Sequence, residues 1–405
     1  MEVGFALAKR SGLMPGSILV LNAGSSSLKF AIFELQDDLP VRVRGSVASL
    51  DSRPKMKLSE SVGANSIEVP VVGDAIDIKE AMSLVLEQLS DRGYLRSVGA
   101  VGHRIVHGGG VFEGATVLDD TVVERLRQFI PLAPMHQPRN LELIAAAMKA
   151  LPQAQQYGCF DTAFHHSRPR IGKLYGLPLD LAEQGIVSYG FHGISYGFIA
   201  RRLREKYGSD AGGRSIVAHL GSGASLCAMH RGVSAATTMG FSALDGLIMG
   251  TRCGSLDPGV VLHMLQEKRM PTEEIVELLY NRSGLLGLSG ISGDMQVLLA
   301  SKEPSAREAV DLFVYSASQQ IACMAASLAG FDTLVFCAGI GEHSSLIREK
   351  IGAATGWLGV KIDQERNRRG EGDITARGST VKVLVMSTDE EYAVAREVLS
   401  FLTSA

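Results

Sequence analysis

The chain has 405 residues, 46% of them hydrophobic and 20% charged, a composition that excludes a disordered or fibrous polymer and suffices for more than one hydrophobic core. Lys and Arg number 40 against 43 Asp and Glu, so the formal net charge of −3 supplies no global basic field, and neither nucleic acid nor a membrane is expected as a partner. The five cysteines are an odd number without CxxC spacing, which reads as a reducing, cytoplasmic setting rather than a disulfide framework or zinc knuckle.

The first sixteen residues, MEVGFALAKRSGLMPG, carry charges where a signal peptide needs an apolar run. Residues 17–35, SILVLNAGSSSLKFAIFEL, read as a buried strand, a small-residue bend at 23–26 and a second strand. Ala81, Met82, Val85, Leu86 and Leu89 recur at intervals of three and four, predicting an amphipathic helix that Asp91 and Gly93 stop. A second helix is expected at 121–130 with Thr121 and Glu124 as a capping box, a third at 140–149, and a fourth at 195–207 closed by Gly208. Residues 214–232, RSIVAHLGSGASLCAMHRG, repeat the N-terminal pattern of strand, Gly/Ser bend and strand, which suggests two related halves facing one cleft. Helices follow at 258–267 and 272–280, with a long one at about 305–329. A strand at 333–338 runs into GIGEH, a polar loop spans Lys361 to Gly372, and a strand at 380–386 precedes a last helix from Glu390. Strands separated by helices argue for α/β layers. Residues 321–340 have the length of a membrane span, but Gly330 and Asp332 divide them into a buried helix, a turn and a buried strand.

Three Gly-rich bends follow predicted strands: NAGSSSLK (22–29), HLGSGAS (219–225) and AGIGEH (338–343). Small residues let successive backbone N–H groups converge on phosphate oxygens, and Lys29 adds a point charge. None spells a Walker A loop or a Rossmann fingerprint. One such bend alone is more often an ordinary hairpin turn, whereas three in one chain favour a functional, phosphate-holding role. Arg104 in GHRIVHGGG (102–110) and Arg252 in MGTRCGSLDPG (249–259) sit beside glycines, where a planar guanidinium can hold a carboxylate or phosphoryl group through two parallel bonds. Taken singly, each is as readily a loop brace. His103 and His107 are spaced as in a zinc protease but lack its Glu, and GISYG (193–197) matches a nucleophile elbow but lacks the preceding strand. Asp161 in CFDTAFHH and His192 in YGFHG are polar groups among aromatics, structural by default until something joins them.

Ten ordered segments join them: LNAGSSSLKF, VGHRIVHGGG, APMHQP, FDTAFH, YGFHG, AHLGSGAS, MGTRCGSLDPG, LSGISGDMQ, AGIGEH and STDEE. With these the chain resembles the acetate kinases and their short-chain acyl kinase relatives from Ser17 to Leu399. The resemblance implies an α/β fold of two RNase H-like, actin-like ATPase domains around a central cleft. Residues 1–160 and 391–405 would form the N-terminal domain, with the last helix returning to it, and residues 161–390 the nucleotide-binding domain. The implied reaction is reversible ATP-dependent phosphorylation of acetate to acetyl phosphate and ADP. Asp161, His192 and Arg252 would be catalytic, with Asp161 mainly orienting an Arg or a metal-bound water, and Arg104, His136, Val106 and Ala243 would meet the acyl substrate. ATP would lie against Lys29, His219, Leu220, Gly221, Ser222, Gly223, Asp294, Met295, Gln296, Gly339, Ile340, Gly341, Glu342 and His343. Asn22 and Glu390 would serve Mg2+, with Mn2+ as an alternative, and the protein would be a homodimer. Gln296 departs from the usual Arg, His343 and Asp389 from Asn, Ser255 from Asp, and Ala243 from Pro, while the principal catalytic positions are intact. The alternatives are a propionate or butyrate kinase, and an Hsp70-like or actin-like module that binds ATP without phosphorylating an acid.

Overall fold

Ser17–Ala23 (β1) is buried along its whole length, as a run without a solvent-facing alternation should be, and it becomes the centre of a sheet. The computed structural model describes residues 16–24, 27–50, 52–60, 66–370 and 372–404. Backbone contacts divide the chain into two units, the first comprising Met1–Ala163 and Asp389–Ala405 and the second Phe164–Thr388. The divisions therefore fall after Ala163 rather than residue 160, and before Asp389 rather than residue 391. Asp161 stays with the first unit because its N–H donates to Ile105 O, and Glu390 because its carboxylate takes a hydrogen bond from Asn22.

The first unit holds an eight-stranded sheet ordered β5-β4-β3-β2-β1-β6-β8-β7. The strands are β1, β2 (Ser27–Glu34), β3 (Val41–Ala48), β4 (Lys55–Glu60), β5 (Ile67–Val69), β6 (Val98–Ile105), β7 (Thr116–Val117) and β8 (Gln155–Phe160). β1 runs antiparallel to β2 and parallel to β6, and β6 runs parallel to β8. The C-terminal helix Glu390–Ser404 packs on β1, β2, β6 and β8. Gly102 in β6 permits this, since a Cβ there would meet Val394 Cγ1 at 2.8 Å and Val398 Cγ2 at 3.2 Å. Helices Ile78–Asp91 and Gln137–Ala150 pack on one another and bury Met82, Val85, Leu89, Leu143 and Ala147 in the same core as Leu19 and Leu21.

The second unit repeats this plan with six strands ordered β11-β10-β9-β12-β14-β13. They are β9 (Arg214–Leu220), β10 (Ala224–His230), β11 (Val233–Thr237), β12 (Thr333–Cys337), β13 (Gly372–Asp373) and β14 (Lys382–Val385). Here β9 is antiparallel to β10 and parallel to β12, which is parallel to β14. The expected duplication is thus visible as one strand order used twice, the arrangement of two RNase H-like, actin-like domains. Helix Pro304–Ser327 ends in a turn through Gly330 (φ 102°) before β12, as the split of residues 321–340 implied. Among the described residues no helix is long and apolar enough to cross a membrane.

Three local readings change. The second helix is Asp120–Arg127, capped by Asp119, whose side chain accepts from Val122 N, in place of the Thr121 and Glu124 box. AGIGEH is a helical turn, Ala338–His343, rather than an open bend, because Arg348 donates to the carbonyls of Gly341 and Glu342. Within the polar loop from Lys361 to Gly372 lies a short helix, Gln364–Arg369, capped by Asp363 and closed by Gly370 at φ 79°. Its residues carry no apolar stripe, so periodicity passes over it.

Candidate functional site

In the first unit the expected residues converge on one guanidinium. Arg104, near the end of β6, meets Asp161 just beyond the parallel β8 through two bonds, Nη2 to Oδ2 at 2.6 Å and Nε to Oδ1 at 3.3 Å. Its Nη1 donates to Asn22 Oδ1 at 3.2 Å, and Asn22 Nδ2 donates to Glu390 and to Glu391, each at 2.9 Å. Glu390 Oε2 lies 3.9 Å from Arg104 Nε. Glu391 is a member of this cluster that its place in STDEE, directly after Glu390, could have suggested. Lys29 stands directly across the hairpin from Asn22 and is exposed, while Ser25 and Ser26 of the bend lie outside the described residues. Val106 is buried, and its N–H donates to Asn140 Oδ1, while Asn140 N donates to His136 O at the start of the next helix. Val106 and the half-buried His136 are thereby tied to one place.

Burial sets the electrostatics of this cluster. Desolvation alone would lower Arg104, but Asp161 and Glu390 outweigh it and hold the guanidinium firmly charged. Asp161 is raised above the usual carboxylate value by burial, with Arg104 opposing and Glu390 adding to the rise. Glu391 is likewise raised by burial and then by Glu390. Three carboxylates stand against the Arg104 guanidinium and Lys29, whose charge opposes the rise at Glu391, an excess of negative charge that a hard divalent cation would meet. Among the described residues no group of three or more His, Cys, Asp or Glu is arranged to hold a metal ion by itself. Mg2+ commonly takes one or two carboxylates and fills its remaining positions with water and phosphate oxygens, so Glu390 with the Asn22 amide fits it.

Behind the cluster, Glu397 on the C-terminal helix has an Oε2 shielded from solvent and without a hydrogen-bond partner among the described residues. Burial pushes its carboxyl up to about 7. His103 and His107 are buried and held neutral by desolvation, both lowered to about 4. His103 Nε2 lies 2.8 Å from Gln156 Oε1, and Gly109 N donates to His107 Nδ1.

The second unit gathers a different set. His219 near the end of β9 lies opposite Ser225 across the hairpin, and the His192 ring stacks on it with centroids 4.3 Å apart. Arg252 Nη1 donates to Ala243 O at 2.8 Å. A Cβ on Gly223 would lie 2.8 Å from Arg252 Nη2 and 3.2 Å from His192 Nε2, which places both side chains against this bend. The bend from Leu220 through Gly221 and Ser222 is closed by Gly221 N donating to Gly223 O, and Gly250 N donates to Ser222 O, binding the arginine loop to it. A Cβ on Gly221 would lie 3.7 Å from Ala338 Cβ, which places the Gly339, Ile340, Gly341, Glu342 and His343 turn beside the same bend. Asp294 caps the helix containing Met295 and Gln296; Met295 is buried and Gln296 exposed. Glu342 Oε1 accepts from Thr388 N, and His343 is exposed.

Two family departures have local explanations. Asp389 accepts from Tyr392 N in the first turn of the C-terminal helix and pairs with Arg44 at 2.8 Å. Ser255 Oγ donates to Asp245 and accepts from Gly246 N. Arg348, Ser195, Ser225 and Tyr196 support the site and were passed over in the sequence, because cross-strand and long-range partners leave no local signal.

The family model described as the acetokinase family matches residues 17–396. An acetate kinase of Rhodopseudomonas palustris (strain TIE-1) is 47% identical over 391 residues, covering 95% of this chain and 98% of that protein. Among solved structures, a propionate kinase from Francisella tularensis subsp. tularensis SCHU S4 superposes with a TM-score of 0.87 at 31% identity, covering 94% of this chain and 98% of its own. The acetate kinase of Porphyromonas gingivalis gives 0.83 at 34%, covering 96% and 100%. With its Arg104 and Arg252 sites built on a twice-used sheet order and a match over nearly its whole length, the chain belongs to the acetokinase family.

Proposed function

We propose that this enzyme transfers the γ-phosphoryl group of ATP to acetate, forming acetyl phosphate and ADP reversibly. A carboxylate oxygen attacks the γ-phosphorus in line, the ADP oxygen leaves, and no proton need be removed from acetate at neutral pH. The observation that carries this reading is the Arg104 guanidinium, whose Nε–Nη2 edge is occupied by Asp161. Asp161 thereby holds a charged fork in a buried place, and the hydrogens that Nη1 and Nη2 keep beyond Asn22 and Asp161 are the acetate clamp. Asp161 acts as the positioner of Arg104 more than as a base.

Arg252 and the His192 ring donate to the transferring phosphoryl group, and the backbone from His219 to Gly223 carries the phosphates. Lys29, Asp294 to Gln296, and Gly339 to His343 serve the rest of the nucleotide. Glu390 and Asn22 would hold Mg2+ or Mn2+, which offsets phosphate charge when bound. The resemblance to a propionate kinase favours propionate as a second substrate, with Ala243 near the acyl group. A second copy of the chain is the proposed partner, in line with the helix Pro258–Gln266, which exposes Val260, Leu262 and Leu265 and buries none of its residues. The testing experiment incubates the enzyme with ATP, Mg2+, acetate and hydroxylamine. Acetate-dependent acetohydroxamate equal to the ADP released is expected. ATP hydrolysis without hydroxamate would instead indicate an ATP-driven module.

A further inference from the structure

His192 has left-handed backbone angles (φ 58°, ψ 22°), which a non-glycine residue adopts only at a cost of about 1 kcal/mol or more. It occupies the N-cap position of helix Gly193–Tyr207 but makes no side-chain cap bond. The ring turns instead to Ser225 on β10, with Nδ1 2.8 Å from Ser225 Oγ. The backbone before it is fastened too, because His165 Nε2 meets Phe191 O at 2.9 Å and His165 Nδ1 meets Ser234 Oγ at 2.9 Å. The partner in the stack is held in the same way, with His219 Nδ1 2.8 Å from Ser195 Oγ. Two stacked imidazoles thus each have Nδ1 against a serine hydroxyl.

Behind Ser225 lies Tyr196, fully buried, with its hydroxyl 2.5 Å from Ser225 Oγ. Among the described residues this is the hydrogen bond that the phenol makes, and burial raises the phenol well above its usual value, so it remains a protonated donor. If Tyr196 donates to Ser225, the one Ser225 proton is free to point at His192 Nδ1. With that proton directed at His192 Nδ1 the nitrogen is an acceptor, and the ring proton resides on Nε2, the nitrogen facing the Gly223 and Arg252 corner. His219 from β9, Ser225 from β10, Tyr196 from the helix and Arg252 from its loop stand around the ring, and none of these four is a carboxylate.

Building on the proposed phosphoryl transfer, we propose that Ser225 and Tyr196 are positioning residues that hold His192 as a neutral imidazole donating through Nε2, with Ser195 fixing the His219 ring on which it stacks. The donor would be set before substrate arrives, so its hydrogen bond to the phosphoryl oxygen needs no reorganisation. GISYG, passed over as a nucleophile elbow, would owe its serine to this task.

The test pairs a spectrum with kinetics. In the whole enzyme labelled with 15N-histidine and assigned by His192→Gln, His192 should appear at pH 7 as the neutral tautomer protonated at Nε2. Ser225→Ala should mix the tautomers and lower kcat by about 10- to 100-fold while the KM for ATP stays within about threefold. Tyr196→Phe should lower kcat less, and the double variant should be no slower than Ser225→Ala alone, since both act along one chain. An imidazolium or an Nδ1-protonated ring in the wild type, or Ser225→Ala keeping kcat within about threefold, overturns the proposal. Should Ser225→Ala not fold, the wild-type spectrum and Tyr196→Phe decide alone. The tautomer is read without turnover, so a wild type that forms no acyl phosphate overturns the proposed function and leaves this inference to its own result.

Discussion

The two hairpins that begin the two sheets occupy the same place in the strand order and carry opposite chemistry. In β1 and β2 the cross-strand pair one step from the bend is Asn22 with Lys29, and in β9 and β10 it is His219 with Ser225. Around the first gather a guanidinium and three carboxylates, and burial raises Asp161 and Glu391 despite that guanidinium. Around the second gather two stacked imidazoles, two serines and a buried phenol, with Arg252 at the edge. A duplicated scaffold can therefore fix position twice while leaving composition free. The first copy concentrates charged groups, and the second gathers hydrogen-bonding rings and hydroxyls beside one arginine.

The largest expected effect comes from removing the charge of the second region. Arg252→Ala should lower kcat by about 10²- to 10³-fold, the usual loss for one strong transition-state contact, with ATP affinity little changed. Steady-state kinetics showing less than a threefold loss would take Arg252 out of the reaction. Next is the cation demand of the first region. Glu390→Gln should raise the Mg2+ concentration for half-maximal rate by about tenfold, because hard cations prefer charged oxygens. An unchanged Mg2+ titration would separate Glu390 from the metal.

A smaller effect tests how deep the charged region extends. The Glu397 carboxyl sits near 7 against an ordinary 4.5, through burial and the nearby Asp161 charge. Between those values the folded chain retains a proton that the unfolded chain has released, so this group's contribution to stability falls as pH rises through the window and is level above it. Melting temperatures from pH 5 to 8 should fall by a few degrees in the wild type, and Glu397→Gln should flatten that slope. Equal slopes in both proteins would show that Glu397 does not carry it. The smallest effect concerns Ala243, whose carbonyl holds Arg252. Ala243→Pro should lower the kcat/KM ratio of propionate to acetate by several-fold, within the roughly 10- to 200-fold that one methylene can command. An unchanged ratio would remove this position from chain-length preference.

Much of this organisation was legible beforehand. β1, β9 and β12 each contain a short apolar run (Ile18 to Leu21, Ile216 to Ala218, Leu334 to Cys337), and buried strands announce themselves that way. The likeness of the two hairpins was visible in the residues too, whereas the return of the last helix to the first unit was implied by the family resemblance. Features depending on distant partners were not. The AGIGEH turn depends on Arg348, and the helix Gln364–Arg369 depends on caps rather than an apolar face. Ser225 reads as one more small residue in a bend, and only the strand pairing shows it opposite His219 with Tyr196 behind it. Arg104 and Asp161 lie far apart in sequence, and the parallel pairing of β6 with β8, which sets Arg104 beside Cys159, brings their side chains together.

The most direct measurement is the pair of constants for Arg104→Lys, a change that keeps a charge beside Asp161 but removes the planar fork. If the first region serves the acid and the second the nucleotide, as proposed, the acetate KM should rise by about tenfold or more while the ATP dissociation constant stays within about threefold. Weakened ATP binding with an unchanged acetate KM would contradict that division.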